Sequence, residues 1–320
     1  MMLGCIDLGS NSFHLLIAKP SGGGYKIVER LSEKVQLGEN LGVTGNITSQ
    51  SFERGLACLD RFKLLMRQYP LQRYWALGTN AFRTANNAND FIRSAKTVGI
   101  DISIISGLQE AALIYTGVLT GLPKSKAHRL VFDIGGGSTE VVVGRNHNRL
   151  LTESLPIGSV VWRDRFFSGG AYGKSELASQ MSEGSEEAFK VFSGIASTAV
   201  SVGWEEAYAS SGTVKMLAHI CEGYGCEERQ VELGTLLRYK QEMVDSICSG
   251  QELAGLKERR RDLMLPGWCI MVGLMKAYGI EKIQFSPAAL REGMLDLMLK
   301  DGQNLQIMES SDLPEVSYAT

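Results

Sequence analysis

Two stretches of this sequence are versions of one another. Ile6-Asp7-Leu8-Gly9-Ser10-Asn11-Ser12-Phe13-His14-Leu15-Leu16-Ile17 returns as Phe132-Asp133-Ile134-Gly135-Gly136-Gly137-Ser138-Thr139-Glu140-Val141-Val142-Val143. Asp7 matches Asp133, Gly9 matches Gly135, Ser12 matches Ser138, and an apolar triplet follows in each. Val28-Glu29-Arg30-Leu31 then stands opposite Thr152-Glu153-Ser154-Leu155. Both stretches read as strand, Gly/Ser turn, strand, turn, strand, with Gly22-Gly23-Gly24 and Arg145-Asn146-His147-Asn148 as the second turns. A duplicated three-strand unit that opens each half of the chain calls for two similar domains.

Helical periodicity follows each unit. Phe52, Leu56, Leu59, Phe62 and Leu65-Met66 make an apolar stripe that predicts a helix over Gln50–Tyr69. Tyr74–Gly78 reads as a strand, Asn89–Val98 as a helix, Ile102–Ile105 as a strand and Gln109–Leu119 as a helix. The second half gives a helix at Ser175–Ser193, a strand at Glu206–Ala209 and a helix at Val214–Glu222, and the last predicted helix is Ala289–Leu299. Strands alternating with helices mean an α/β fold.

Composition bounds the function classes. The chain has 320 residues, enough for two domains, with 44% hydrophobic and 21% charged residues. A net charge of −2 provides no global field for nucleic acid or an anionic membrane, so any anion must be held by a local site. No apolar run has the length of a membrane span, and Met1-Met2-Leu3-Gly4 lacks a basic leader, which together predict a cytoplasmic protein. Cys5, Cys58, Cys221, Cys226, Cys248 and Cys269 show no metal-binding spacing and read as reduced thiols. His14, His128, His147 and His219 are scattered, and neither a Walker phosphate loop nor a Gly-x-Gly-x-x-Gly turn opens a helix.

The repeated turns are the candidate chemistry. Glycines and small hydroxyls let backbone N–H groups approach an anion, so Ser10, Asn11 and Ser12, and Gly135, Gly136, Gly137, Ser138 and Thr139, are candidate phosphate contacts. Asp7 and Asp133 would repel phosphate, but a carboxylate at a strand end can hold Mg²⁺ or another divalent cation through water, or orient an attacking water. Glu140 shares a strand face with Ser138 and is read either as a metal or water contact or as a solvated strand carboxylate. Glu110, at a helix start, and Arg83 read locally as dipole compensation and as a surface cation. Lys257-Glu258-Arg259-Arg260-Arg261-Asp262 has interleaved acids and no aromatic platform, so it reads as a solvated helix end rather than a nucleic-acid surface, with Arg260 a lesser phosphate candidate.

Taken in order, Ile6–His14, Gly78-Thr79 through Arg83, Ile105-Ser106-Gly107 through Glu110-Ala111, Asp133–Glu140, Ser211-Gly212-Thr213-Val214, Pro266-Gly267 and Ala289-Leu290-Arg291-Glu292-Gly293 resemble the exopolyphosphatase/guanosine pentaphosphate phosphohydrolase (Ppx/GppA) family. The resemblance implies an actin/hexokinase/Hsp70-like fold, with two ribonuclease-H-like domains around a cleft. Residues 1–120 would form the first domain and 121–287 the second; a helix at 288–302 would pack back on the first, and 303–320 would be a tail. It implies Glu110 as the base that activates water, Asp133 and Glu140 near Mg²⁺, and Arg83 with Ser211, Gly212 and Thr213 among the phosphate contacts; Asp7, from its strand-end position, is a further candidate metal contact. The implied substrate is polyphosphate or guanosine pentaphosphate, with no nucleic-acid or membrane partner and a homodimer as a permitted assembly. Gln109 and Ala112, and Pro287-Ala288, depart from the family's usual acidic residue and Arg near the base and from its usual Asp-Gly. The chain resembles a short form without the C-terminal helical domain of long members. An actin-like ATPase or kinase, and a silent polyphosphate or alarmone sensor, are the rival readings.

Overall fold

The computed structural model describes residues 2–22, 24–169 and 173–300, and the backbone of Ser317–Tyr318. Gly23 and most of the 303–320 stretch, both named in the sequence reading, lie outside the described residues. The chain divides into two units, Met1–Pro123 with Ala288–Thr320, and Lys124–Pro287.

The first unit begins with β1 (Met2–Leu8), β2 (Ser12–Ser21) and β3 (Gly24–Lys34). α1 (Leu41–Thr44), α2 (Ser49–Met66), β4 (Leu71–Gly78), α3 (Asn80–Thr84), α4 (Ala88–Val98), β5 (Ser103–Ile104) and α5 (Gly107–Thr120) follow. β1 and β2, and β2 and β3, pair antiparallel, while β1 and β4, and β4 and β5, pair parallel. The order is therefore 3-2-1-4-5. Ile6, Leu8, Phe13 and Leu15 join Leu59, Phe62 and Phe91 in the core under α2 and α4. Strand alternation turns Asp7 and His14 to the other face.

The second unit repeats the pattern with β6 (His128–Ile134), β7 (Thr139–Arg145) and β8 (Asn148–Leu155). α6 (Ser159–Phe166), α7 (Lys174–Val202), β9 (Glu206–Ser210), α8 (Gly212–Gly223), β10 (Gln230–Glu232), α9 (Leu233–Arg238), α10 (Lys240–Ser249), α11 (Met264–Tyr278) and β11 (Lys282–Phe285) complete it. β6–β7 and β7–β8 are antiparallel, and β6–β9 and β9–β11 are parallel. This is the same 3-2-1-4-5 order, with β10 added beyond β11. Two such sheets in one α/β chain are the duplicated ribonuclease-H-like arrangement of the actin/hexokinase/Hsp70 superfamily.

The predicted helices and strands fall in place with shifted ends. The strand expected at Ile102–Ile105 shrinks to the two residues of β5, and the helix expected at Ser175–Ser193 runs on to Val202. α11 carries no sequence stripe because it is apolar on every side: Trp268, Ile270, Met271 and Leu274 are all buried. α12 (Leu290–Leu299) returns to the first unit and crosses α5. A Cβ at Gly117 would overlap the Ala289 carbonyl, and one at Gly293 would overlap that of Leu113, so both glycines are required for this approach. β12 (Ser317–Tyr318) pairs with β4.

Candidate active site

In each unit the turn after the first strand closes the same way. Gly9 N–H donates to the Ser12 carbonyl at 3.2 Å, and Gly135 N–H to that of Ser138 at 2.9 Å. Neighbouring segments then capture the turn carbonyls. Gly38 N–H donates to Ser10 O, and the Val35 and Gln36 amides donate to Asn11 O. In the second unit the start of α6 does this: Ser159 N–H donates to Gly135 O at 2.9 Å, and Val160 and Val161 to Gly136 O at 2.8 and 3.2 Å. In a trans peptide C=O and N–H point in opposite directions. Tying back the carbonyls of Gly135 and Gly136 therefore turns the amides of Gly136 and Gly137 outward. Those amides have no protein acceptor among the described residues, which is the arrangement of a backbone anion nest.

A polar row crosses the second sheet beside this turn, on the face away from the Phe132 and Val141 core. Asp133 is in register with Glu140 on β7 and with Ser210 on β9, and Glu140 with Ser154 on β8. Ser210 Oγ donates to Asp133 Oδ2, and Ser154 Oγ to Glu140 Oε1 at 2.8 Å. No cluster of three or more metal-ligating side chains exists among the described residues. Two adjacent carboxylates nevertheless suit Mg²⁺, which keeps several waters and takes one or two protein carboxylates together with substrate phosphates. In the first unit Asp7 is in register with His14 instead.

Glu110 is 8% exposed. A carboxylate that only compensated the helix dipole would lie in solvent; this one is paired. Arg83 Nη1 donates to its Oε2 at 2.8 Å and to the Ile105 carbonyl at 2.9 Å. Arg83 Nε and Nη2 have no protein partner among the described residues, which leaves an edge of the guanidinium for a phosphoryl oxygen. Gln109, read as a departure near the base, closes a capping box: its N–H donates to Ser106 Oγ at 3.1 Å, and the Ser106 N–H donates to its Oε1 at 2.8 Å. Ala112 is buried in the helix packing.

Ser211 lies at φ 109°, a region that costs a non-glycine residue about 1–3 kcal/mol, and its Oγ caps α8 by accepting from the Thr213 and Val214 amides. The guanidinium of Arg260 packs on Gly212, where a Cβ would come within 2.5 Å of its Nη2. Burial, and secondly the like charge of Arg259, lowers the Arg260 pKa from its ordinary value, and the Arg260 backbone N–H donates to the Lys257 carbonyl at 2.9 Å. A pocket of about 70 Å³ opens there, lined by Gly212, Lys215, His219, Lys257, Arg259 and Arg260. The basic run read as a solvated end thus supplies three of the pocket's cations.

Two predicted contacts are turned inward. Thr139 Oγ1 donates to the Ile157 carbonyl at 2.6 Å, and Thr213 Oγ1 donates to Ser159 Oγ at 3.2 Å. Ser10, Ser12 and Ser138 are buried within their turns, and Asn11 Nδ2 donates to Ser12 Oγ. Ser154, Ser210, Gly158 and Ser159 escaped the sequence reading. Only the glycine–serine pair ahead of the apolar Val160-Val161 signals a helix start there, and nothing local shows that the helix grips a distant turn.

The second unit thus carries a turn with two outward glycine amides beside paired carboxylates, and the first a buried Glu–Arg pair. Residues 16–301 match the Ppx/GppA phosphatase family, and the chain belongs to it. It is 35% identical over 303 residues to a guanosine-5'-triphosphate,3'-diphosphate pyrophosphatase of Pseudoalteromonas translucida, covering 94% of this chain and 60% of that protein's length. Among solved structures, an exopolyphosphatase from Cytophaga hutchinsonii is 27% identical with a TM-score of 0.82, over 97% of this chain and 100% of that one. The Aquifex aeolicus family member is 25% identical with a TM-score of 0.73, over 95% and 99%. No helix among the described residues is long and apolar enough to cross a membrane.

Proposed function

We propose that this chain is a phosphohydrolase that releases the terminal phosphate of inorganic polyphosphate or guanosine pentaphosphate by attack of water. The observation that carries the reading is the buried Glu110 held by Arg83 at 2.8 Å. Water is a weak nucleophile at neutral pH, and Glu110 takes its proton as it attacks. Arg83 fixes the carboxylate through Oε2 and offers its remaining N–H groups to the phosphoryl oxygens. In the second unit, the outward amides of Gly136 and Gly137 are donors suited to phosphoryl oxygens that gain charge in the transition state. Asp133 and Glu140 would hold a Mg²⁺, which when bound neutralises phosphate charge.

The Arg260 pocket, lined by Lys215, Lys257, Arg259 and Arg260, suits a polyanionic substrate. The likeness to a guanosine-5'-triphosphate,3'-diphosphate pyrophosphatase and to an exopolyphosphatase supports both substrates. All six cysteines are free thiols, which supports a reducing, cytoplasmic setting.

The test is Glu110→Gln, which keeps shape and hydrogen-bonding reach but removes the basic oxygen. Turnover falls about 10²–10⁴-fold, the contribution of a positioned base, while affinity for tripolyphosphate holds or rises. Near-wild-type kcat with a lowered melting temperature would make Glu110 a capping residue and reject the mechanism. Side-by-side kcat/KM on tripolyphosphate, long polyphosphate, guanosine pentaphosphate and ATP decides the substrate and separates a phosphohydrolase from an actin-like ATPase.

A further inference from the structure

We infer that Ser159 is a positioning residue that locks the 135–138 turn to the Ser211-Gly212-Thr213 segment, and that turnover depends on its hydroxyl. The inference rests on the proposed reaction for its kinetic consequence and on the hydrogen-bond geometry alone for the locking.

Ser159 is 1% exposed and touches no solvent from which to recruit a ligand. Its N–H and its Oγ both donate to the Gly135 carbonyl, at 2.9 and 3.2 Å. The same Oγ accepts from Thr213 Oγ1 at 3.2 Å. The hydroxyls thus form a directed chain: Thr213 donates to Ser159, and Ser159 to Gly135 O. Thr213 cannot easily swing away, because its methyl sits on Gly267, where a Cβ would come within 2.6 Å of it. One hydroxyl therefore joins two segments more than seventy residues apart in sequence.

What this controls is the direction of one peptide plane. The Gly135 carbonyl and the Gly136 amide belong to the same peptide, so holding the first inward aims the second outward. Gly158, which precedes Ser159, abuts the next peptide so closely that a Cβ would overlap the Gly136–Gly137 backbone. The Ser159 N–H alone leaves that carbonyl on a single donor. The second donor, tethered through Thr213, removes the freedom to rock. Groups that orient a metal ligand from behind typically contribute ten- to hundred-fold, and a similar range is expected where the oriented group is a phosphate-facing amide.

The experiment combines turnover with hydrogen exchange. Ser159→Ala and Thr213→Val each remove one link; Thr213→Ser restores the hydroxyl and keeps the link. We expect kcat on tripolyphosphate to fall roughly ten-fold or more in Ser159→Ala, with a smaller loss in Thr213→Val and near-full activity in Thr213→Ser. The double variant Ser159→Ala/Thr213→Val should be no worse than Ser159→Ala alone, since both cut one chain. Amide exchange in residues 135–138 should quicken in both single variants while the melting temperature holds within a few degrees. Multiplicative losses in the double variant, or unchanged exchange with unchanged kcat in Ser159→Ala, would overturn the inference. Faster exchange in 135–138 while the wild-type chain cleaves no phosphoanhydride would leave the locking standing and reject the proposed reaction instead.

Discussion

The two repeated turns have the same closing hydrogen bond and different equipment. After Asp7 the first turn is tied back by a loop, through Val35, Gln36 and Gly38; after Asp133 the second is tied back by the start of α6. The captured carbonyls are also displaced by one residue: Ser10 and Asn11 in the first turn, Gly135 and Gly136 in the second, where the matching positions are Gly9 and Ser10. The second turn therefore turns out the amides of two consecutive glycines, whereas the first turns out those of Asn11 and Ser12, which carry side chains. Opposite each aspartate the difference is sharper still, because His14 occupies in the first sheet the position of Glu140 in the second. The scaffold occurs twice with different side chains: the second unit sets Asp133 beside Glu140 at its turn, and the first carries Arg83 on α3 and Glu110 on α5.

That division can be broken at the carboxylates, where the largest effect is expected. Asp133→Asn should raise the Mg²⁺ concentration for half-maximal activity and lower turnover about a hundred-fold or more, since metal charge stabilisation amounts to several kcal/mol and each decade to about 1.4 kcal/mol. Asp7→Asn, removing a carboxylate in register with His14 rather than with a second carboxylate, should shift the Mg²⁺ titration far less. Equal shifts in the two titrations would mean that the copies are equivalent cation sites. An intermediate effect is expected at the anchors. Gly158→Ala forces a methyl into the backbone of the second turn, while the same change at Gly38 meets the Ser10 Cβ at 2.8 Å. Overpacking of this kind costs about 1–3 kcal/mol. Gly158→Ala should lie at the upper end with activity lost alongside stability, and Gly38→Ala nearer the lower end. Denaturation midpoints and kcat on the same preparations give the ranking, and a reversed order would reject the helix-anchored second turn as the primary phosphate cradle.

Much of this was legible in the sequence because repetition makes weak signals strong. One Asp-x-Gly-x-x-Ser says little, but two in the same strand pattern located both turns, and striped helices such as α2 and α4 announced themselves. What stayed hidden depends on contacts between distant segments. Gln109 looked like a flaw near the base until Ser106 was seen to use it as a capping partner. Thr139 and Thr213 have the right chemistry for phosphate, but their hydroxyls are spent on Ile157 and Ser159, which only packing reveals. Arg260 lay in a run of mixed charge whose sequence gave no sign that one guanidinium would be folded against Gly212.

The smallest effect tests the likeness rather than the difference. Gly9 and Gly135 occupy matching places, and an added Cβ would lie 3.1 Å from the Ser12 carbonyl oxygen in one turn and 3.0 Å from that of Ser138 in the other. Neither glycine has a positive φ, so an alanine is not excluded by its backbone conformation. The cost is a neighbour that must yield a few tenths of an ångström while it still accepts the glycine's own N–H. Gly9→Ala and Gly135→Ala should therefore each lose roughly 1 kcal/mol, at the low end for overpacking, and nearly the same amount as one another. Activity should not follow stability. Yielding of the Ser138 carbonyl disturbs the turn that presents the Gly136 and Gly137 amides, so Gly135→Ala should lose several-fold in kcat, while Gly9→Ala stays closer to wild type. Matched losses of stability with unmatched kcat are the outcome expected of one scaffold used for two purposes. Unequal denaturation midpoints would show that the turns are not equivalent even as scaffold, and equal kcat would show that the first turn handles the reacting phosphate as directly as the second.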